Sequence, residues 1–188
     1  MKITLRALAI IIACGLSAYS QTAVNQHFGK DGLSFDYPAS WKVSDQSTAQ
    51  MQLIQLLRGD GYAEIRIRVP RESLKSPQKE NEARKLIQEK YVEQFVDSLQ
   101  QAGLKPTRAE ATSEIAAGPA AGIRIRAMLE REPGGLDSFY RVVSERFVQL
   151  SQIGSEADMT RSLDAWDMLR KSLIVDASPA SGSATGKP

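Results

Sequence analysis

The sequence predicts an α+β domain, in which a mostly antiparallel β-sheet has a long helix and a C-terminal helix packed on it. Two blocks of alternating apolar and polar residues predict strands joined by short turns. Between the blocks, an apolar stripe with three- and four-residue steps predicts a helix of about 25 residues. A second helical segment and a short apolar strand follow the second block. Strands and helices grouped in this way are typical of α+β domains.

The first block contains a short strand, a proline corner and a hairpin. Residues 33–37 alternate between apolar and polar side chains, and Pro38 ends this strand because proline cannot donate a ladder hydrogen bond. Trp41 opens a second short strand and provides a large core anchor. Residues 51–57 and 62–69 then flank an Arg-Gly-Asp-Gly turn, whose Asp-Gly pair favours a tight hairpin.

The long helix has start and stop signals in the sequence. Ser76 is expected to be its N-cap and Pro77 its first residue, while Gly103 is expected to end it. The residues expected to face the sheet form one stripe: Ala83, Leu86, Ile87, Tyr91, Phe95, Val96, Leu99 and Ala102.

The second block begins with another hairpin, formed by residues 107–115 and 122–131 around an Ala-Gly-Pro-Ala turn. Residues 132–135 (Glu-Pro-Gly-Gly) predict a further turn, which leads into residues 138–152. That run is long for one strand, so we expect a bulge or a break near residues 144–145.

A final helix is predicted to start after Ser155. Asp158 stands where a capping box has Glu or Gln. A short strand over residues 173–175 is expected to close the domain. The residues that this helix is expected to bury are Met159, Leu163, Trp166 and Leu169.

Residues 1–20 have the three parts of a secretory signal peptide. Lys2 and Arg6 form the positive region, residues 7–16 form the apolar region, and a small-residue cleavage site ends at Ser20. The apolar run is too short to span a bilayer, which takes about 20 apolar residues. The sequence therefore predicts export, to the periplasm or the medium.

Cys14 leaves the type of export open. Residues 11–14 (Ile-Ile-Ala-Cys) resemble a bacterial lipobox, in which the cysteine is lipidated and anchors the protein in the envelope. No leucine stands three positions before Cys14, and the alternative is an ordinary residue of the apolar region. If residues 1–20 are removed, no cysteine remains, which excludes a disulfide framework and a thiolate nucleophile.

The exported chain is predicted to have three parts. Residues 21–30 are polar and are expected to form a mobile lead-in, and residues 31–176 are expected to form one folded domain. Residues 177–188 contain almost nothing that could be buried, so we expect a disordered Pro/Ser/Gly-rich tail.

The opening strand and corner resemble a known family. Gly32-Leu33-Ser34-Phe35-Asp36-Tyr37-Pro38, followed by Trp41, is similar to the opening of the PsbP-like superfamily, and residues 166–173 are similar to its closing helix and strand. This superfamily includes PsbP proteins and DcrB-type envelope proteins. The resemblance implies an α/β/α sandwich and a binding or assembly role without catalysis. It carries over no functional residue, because both motifs are packing features.

Few residues of the sequence could support catalysis. His27 is the only histidine, and its place in the predicted lead-in makes it a poor member of a catalytic triad. The glycines of the predicted turns do not open helices, so no phosphate-binding loop is indicated. Too few histidines and cysteines are present for a typical zinc site. We therefore expect no enzymatic activity, no cofactor and no metal.

Two matching segments carry the candidate binding residues. Residues 65–68 and 123–126 both read Ile-Arg-Ile-Arg, each in the second arm of a hairpin. If both strands lie in one sheet, the guanidinium groups of Arg66, Arg68, Arg124 and Arg126 share its polar face, which would suit an acidic protein partner or an anionic head group. The alternative is neutralisation by cross-strand carboxylates, with Glu64, Glu110, Glu114, Glu130 and Glu145 as the candidates.

These observations predict an exported, non-catalytic binding or assembly protein of the bacterial cell envelope, with a protein partner. A small-ligand carrier with a pocket between the sheet and the long helix is the alternative, and a carboxylate-based hydrolase comes third. The formal net charge of +2 falls to about zero without Lys2 and Arg6, so it does not favour nucleic-acid binding. Membrane attachment is expected only if Cys14 is lipidated.

Overall fold

The computed structural model describes residues 25–60, 63–129 and 132–177. The predicted α+β class is confirmed. The predicted signal peptide, Cys14 and residues 178–188 of the predicted tail lie outside the described ranges. The described strands are β1 (Asn25–Lys30), β2 (Leu33–Pro38), β3 (Trp41–Asp45), β4 (Met51–Arg58), β5 (Glu64–Pro70), β6 (Thr107–Ile115), β7 (Gly118–Leu129), β8 (Glu132–Val143), β9 (Arg146–Ser155) and β10 (Ile174–Val175).

The helices lie between β5 and β6 and between β9 and β10. The long helix consists of α1 (Pro77–Ala83), a π segment (Arg84–Glu89) and α2 (Lys90–Gln101). The C-terminal helices are α3 (Glu156–Arg161) and α4 (Leu163–Ser172). Across the described ranges, no helix has the length and apolar character that crossing a membrane requires.

The strands form two antiparallel sheets. The large sheet has seven strands in the order β3-β4-β5-β9-β8-β7-β6, and the small sheet has the order β1-β2-β10. The long helix covers one face of the large sheet, which we call the long-helix face. The opposite face packs on the small sheet and α4, and we call it the α4 face. Covering both faces in this way produces an α/β/α sandwich.

The expected mobile lead-in is wrong for Asn25–Lys30, which pairs along its whole length with β2. Phe28 stacks on Phe35, with ring centroids 5.0 Å apart, and so covers an edge of the core. The remaining residues of β1 contribute no apolar side chain, but the ladder with β2 pairs the backbone groups that face β2. The folded domain therefore begins by Asn25 rather than at Asp31.

The core on the α4 face is centred on large aromatic and aliphatic side chains. Trp41 and Trp166 are both buried, as the sequence predicts, and the ring of Trp166 lies 6.1 Å from that of Phe139. Leu163 was expected in the same core, but its side chain is 49% exposed. It is the first residue of α4 and follows the break at Ser162, which turns it away from the sheet.

The start and end of the long helix are confirmed. Ser76 is its N-cap, since the hydroxyl of Ser76 accepts a hydrogen bond from the backbone N–H of Lys79 at 3.3 Å. Gly103 follows the helix with a φ of 77°, a left-handed conformation that glycine adopts readily.

The predicted apolar stripe of this helix is wrong at Ala102, which is exposed, and at Leu86. The side chain of Leu86 is 68% exposed, whereas Gln88 and Val92 are buried. In the π segment the hydrogen bonds run from residue i to residue i+5, so each turn holds an additional residue. The additional residue rotates the helix, and the buried stripe then passes from Ile87 to Val92.

The break expected near residues 144–145 is confirmed. Ser144 and Glu145 form a two-residue hairpin turn between β8 and β9, with φ values of 48° and 60°. Residues 132–135, expected as a turn, belong to β8 and pair with β7 and β9. The glycines there allow close approach: a Cβ on Gly135 would lie 1.9 Å from the carbonyl oxygen of Ile125.

One ion pair joins the two sheets and predicts an acid-sensitive contribution to stability. Lys30 Nζ lies 2.6 Å from Asp45 Oδ2. The hydrogen bond from Lys30, with further bonds from Ser47, lowers the pKa of Asp45 to about 2. Because a free aspartate titrates near pH 3.9, the contribution is present above about pH 4 and is lost as the pH falls through about 2.

We expect Asp45→Asn to remove this pH dependence. The difference in stability between the wild type and Asp45→Asn, measured by urea unfolding, should be constant at neutral pH and should shrink below about pH 4. A difference that grows as the pH falls would contradict this assignment.

Candidate ligand-binding cleft

The predicted arginine surface is wrong in its geometry, although both strands do lie in the large sheet. Directly opposed residues in neighbouring strands share a face. Arg66 is opposite Ser151, Ser151 is opposite Ser138, and Ser138 is opposite Ile123. Arg66 therefore shares the long-helix face with Ile123, and Arg124 lies on the other face. The repeated Ile-Arg pattern determines the alternation within each strand, whereas the pairing through β9 and β8 determines the face.

Three of the four arginines pair with carboxylates. Arg66 forms a bidentate ion pair with Glu64. On the α4 face, Arg126 Nη2 lies 2.6 Å from Asp137 Oδ1, and Arg124 Nε lies 3.6 Å from Asp137 Oδ2. Neutralisation by carboxylates, the alternative reading of the sequence, therefore fits these residues. Of the acidic residues that the sequence indicated, Glu64 takes part, whereas Asp137 was not predicted.

The fourth arginine, Arg68, is half-buried beneath the long helix. Its guanidinium carbon lies 3.8 Å from the centre of the Tyr91 ring, and its Nη1 donates to Gln149 Oε1 at 3.1 Å. Burial lowers the pKa of Arg68, and the nearby Tyr91 acts in the opposite direction. This cation–π contact attaches α2 to β5.

The reason given for setting His27 aside is also wrong, because His27 lies in β1 and not in a mobile segment. Its Nδ1 is 2.7 Å from Asp36 Oδ1, and the imidazole is mostly exposed. Within the described ranges this is the only hydrogen bond of its side chain, so no serine hydroxyl contacts it. No group of three or more His, Cys, Asp or Glu side chains that could hold a metal ion occurs among the described residues.

The long-helix face contains a buried polar network beneath the π segment. Gln88 Oε1 accepts hydrogen bonds from Ser138 Oγ at 2.8 Å and from Gln149 Nε2 at 2.7 Å. Gln88 Nε2 donates to the main-chain oxygen of Ser138 at 3.0 Å. All three side chains are at most 1% exposed. The rotation of the helix at the π segment directs Gln88 onto the sheet, and π segments are frequent at functional sites.

An open cleft of about 500 Å³ adjoins this network, between the π segment and strands β6 and β7. Gln88 forms part of its wall and therefore connects the cleft to the buried network. Its polar lining includes Arg84, Gln88, Glu89, Arg108, Glu110 and Tyr140. Small side chains, among them Ala121, form its floor.

The cleft is lined by charges of both signs. Arg84 Nη1 and Glu89 Oε1 form an ion pair of 2.8 Å on the helix side. On the strand side, Arg108 and Glu110 make no ion pair with any described residue and remain able to contact a ligand. A ligand with both acidic and basic or amide groups would match this lining.

Sequence reasoning missed the residues of this cleft, because no single motif contains them. Gln149 and Ser151 alternate with Val148 and Leu150 along β9, and polar residues in a central strand are a signal that one face is not purely apolar. Gln88 was missed because the stripe was assigned with α-helical spacing. The predicted pocket between the sheet and the long helix corresponds in position to the cleft.

The sandwich architecture defines the class of fold, which is PsbP-like, in agreement with the resemblance of the opening strand. Solved structures similar to this chain include the following two. Cyanobacterial PsbP (CyanoP) from Synechocystis sp. PCC 6803 has a TM-score of 0.51 and 10% identity, over 86% of this chain and 98% of that chain. A protein from Bacteroides thetaiotaomicron VPI-5482 has a TM-score of 0.50 and 11% identity, over 84% of this chain and 49% of that chain.

At these identities the likeness shows the fold alone. No protein-family model matches the sequence, and no curated protein sequence matches it either.

The buried network leads to a prediction for stability. We expect Gln88→Leu to lower the free energy of unfolding by roughly 1–3 kcal/mol, because the Ser138 hydroxyl loses its acceptor inside the protein. Gln94→Leu is the matched control: the same substitution on the same helix, at an exposed position, should change stability by less than about 0.5 kcal/mol. Equal effects in urea unfolding would show that the network contributes nothing specific.

Proposed function

We propose that this chain is an exported, non-catalytic binding protein of the bacterial cell envelope, and that it holds a segment of a protein partner in the cleft beside the π segment. The cleft is the observation that carries the proposal. It is open to solvent, it is bordered by charges of both signs, and its wall is fixed by the Gln88 network. A binding site placed on such rigid elements loses little entropy when it is filled.

The mixed lining favours a peptide over an apolar ligand. A peptide segment presents amide groups along its length and charged side chains at intervals, which Arg108 and Glu110 could pair with.

A small-ligand carrier is the second candidate. Its support is the size of the cleft, since pockets for small molecules have volumes of about 300–1,000 Å³. Native mass spectrometry of the protein purified from its own organism separates the two candidates. A small mass that stays bound would favour the carrier, and a stoichiometric second protein would favour the first proposal.

The test of the site is affinity capture from the envelope fraction with two variants. Ala121→Phe fills the cleft from its floor, and Ala102→Phe places the same ring at an exposed position at the end of α2. We expect Ala121→Phe to reduce the captured partner at least about tenfold and Ala102→Phe to leave it unchanged. A partner retained equally by both variants would show that the cleft is not the binding site.

Export and its type are tested by the mass of the chain found in the envelope. Cleavage after Ser20 predicts a chain that begins at Gln21, whereas lipidation predicts a lipidated chain that begins at Cys14. A Cys14→Ala variant should remain soluble and processed in the first case. A full-length chain in the cytoplasmic fraction would contradict export.

A further inference from the structure

Among the described strands, β6 is an edge of the large sheet that neither a bulge nor a proline protects. It runs for nine residues (Thr107–Ile115) and pairs only with β7 among the described strands. The pairing is one-to-one over the whole length, without a bulge, and β6 contains no proline. Edge strands of this length are usually protected by features such as a bulge or a proline, because their free N–H and C=O groups pair readily with another chain.

The turn between β6 and β7 shows which backbone groups of β6 point outward. Ala116 and Ala117 have φ values of 48° and 56°, so they form a two-residue turn and the flanking pair, Ile115 and Gly118, is hydrogen-bonded. In an antiparallel ladder, hydrogen-bonded pairs alternate with non-bonded pairs. The residues of β6 whose N–H and C=O groups point away from β7 are therefore Arg108, Glu110, Thr112 and Glu114.

These four residues are complementary to a second copy of the same strand. When two antiparallel copies of β6 overlap over all nine residues, Arg108 is opposite Glu114 of the second copy and Glu110 is opposite Thr112. A shift of the pairing by two residues in one direction places Glu110 of one copy opposite Glu110 of the second copy. A shift by two residues in the other direction places Glu110 of one copy opposite Glu114 of the second copy. The register with the full overlap is therefore the one that avoids both like-charge contacts.

We propose that this chain forms a symmetric dimer by antiparallel pairing of β6 with β6 of a second copy, in the register that places Arg108 opposite Glu114. The two-fold axis passes through Ala111, where two small side chains meet at a non-hydrogen-bonded pair. The side chain of Glu114 is 66% exposed, and its one ion pair with a described residue, Arg170, is long at 3.7 Å, so it is able to reach Arg108 of the second copy.

The dimer would bring the two candidate clefts together. Arg108, Glu110 and Thr112 line the cleft of each copy, and the added strand would extend its wall with residues of the second copy. Strand pairing alone buries little surface, so the dimer should depend on concentration. The proposal goes beyond the proposed function and does not depend on it, since it concerns only the chain itself.

Sedimentation velocity over a range of micromolar concentrations tests the proposal, with a proline variant and its control. Thr112→Pro removes an outward N–H that β7 does not use, so the monomer should keep its circular dichroism spectrum. Thr112→Val keeps that N–H and the branched shape. We expect Thr112→Pro to weaken dimerisation at least about tenfold and Thr112→Val to leave it close to the wild type.

Charge exchange tests the register independently of any effect on folding. Arg108→Glu and Glu114→Arg each place like charges opposite one another, and each should weaken the dimer about tenfold. The double variant exchanges both charges and should restore the wild-type affinity. A chain that stays monomeric throughout the concentration range would overturn the proposal. A dimer that tolerates Thr112→Pro, or a double variant that is not restored, would also overturn it.

Discussion

Replacing Asp158 by alanine is expected to lower the free energy of unfolding by about 3 kcal/mol. Asp158 Oδ1 accepts from Arg58 Nη2 at 2.5 Å and from Arg161 Nη2 at 2.7 Å, and Asp158 is buried. Through these contacts it fixes the start of α3 to the end of β4. The guanidinium of Arg58 is largely buried, and the removal of Asp158 leaves it without its buried carboxylate partner.

The expected loss lies at the lower end of the range for buried ion pairs, because Asp60 still pairs with Arg58 at 2.8 Å. Burial raises the pKa of Asp158, but hydrogen bonds from Arg58, Ser155 and Arg161 outweigh it and hold the pKa below its ordinary value. Asp158 is therefore charged at neutral pH, and the pair is ionic when stability is measured there.

Asp167→Ala is the matched control for Asp158→Ala. Asp167 also pairs with two basic side chains, Arg170 and Lys171, but its own side chain is 41% exposed. Exposed pairs of this kind contribute about 0–1 kcal/mol. If urea unfolding gives the same loss for both variants, the buried position of Asp158 has no special importance and the assignment fails.

The second large effect is expected at Trp166, where alanine should cost about 3–5 kcal/mol. The Trp166 ring packs between α4 and the sheet against Phe139, and its loss leaves a cavity that a helix and a seven-stranded sheet cannot close. Thermal or urea unfolding measures the loss.

Leu163→Ala is the control on the same helix, because sequence periodicity places Leu163 in the core and the structure exposes half of it. We expect a loss below about 1 kcal/mol. A large loss at Leu163 with a small one at Trp166 would mean that α4 packs on the sheet with its other face.

The elements that the sequence predicted correctly are those in which one strand or helix face is apolar. Residues 64–70 alternate strictly because one face of β5 is buried, and Ser76 caps a helix through contacts within four residues. Both signals are local. Strand β1 has no such signal, because its only buried contact is Phe28 on Phe35 and its order depends on pairing with β2.

The arginine prediction failed for a different physical reason. Which face Arg124 occupies depends on the pairing of β5 with β9, of β9 with β8 and of β8 with β7. The face that Arg124 occupies relative to Arg66 follows from the register of all three pairings together. No property of residues 65–68 or 123–126 determines that face. From the sequence, only a pocket between the sheet and the long helix could be predicted. The residues that line the cleft could not be predicted, because its walls come from three separate parts of the chain.

The π segment connects the fold to the proposed function. Its additional residue exposes Leu86 and buries Gln88, and Gln88 in turn joins the helix to Ser138 and Gln149. An uninterrupted α-helix with the predicted stripe would place leucine there instead. The cost of a π segment is therefore offset by a polar network, and the result is a rigid wall for the cleft.

The most direct test of the central claim is methyl NMR of the chain, with and without the partner or ligand retained by affinity capture. Thr112, Ala121 and Ile123 provide methyl groups that line the cleft, while Met128, Leu163 and Ile174 provide exposed methyl groups elsewhere. The proposed site predicts that the cleft methyl signals shift and that the others do not. Unchanged cleft signals, with shifts at Leu163 beside Arg124 and Arg126, would place binding on the α4 face and contradict the account.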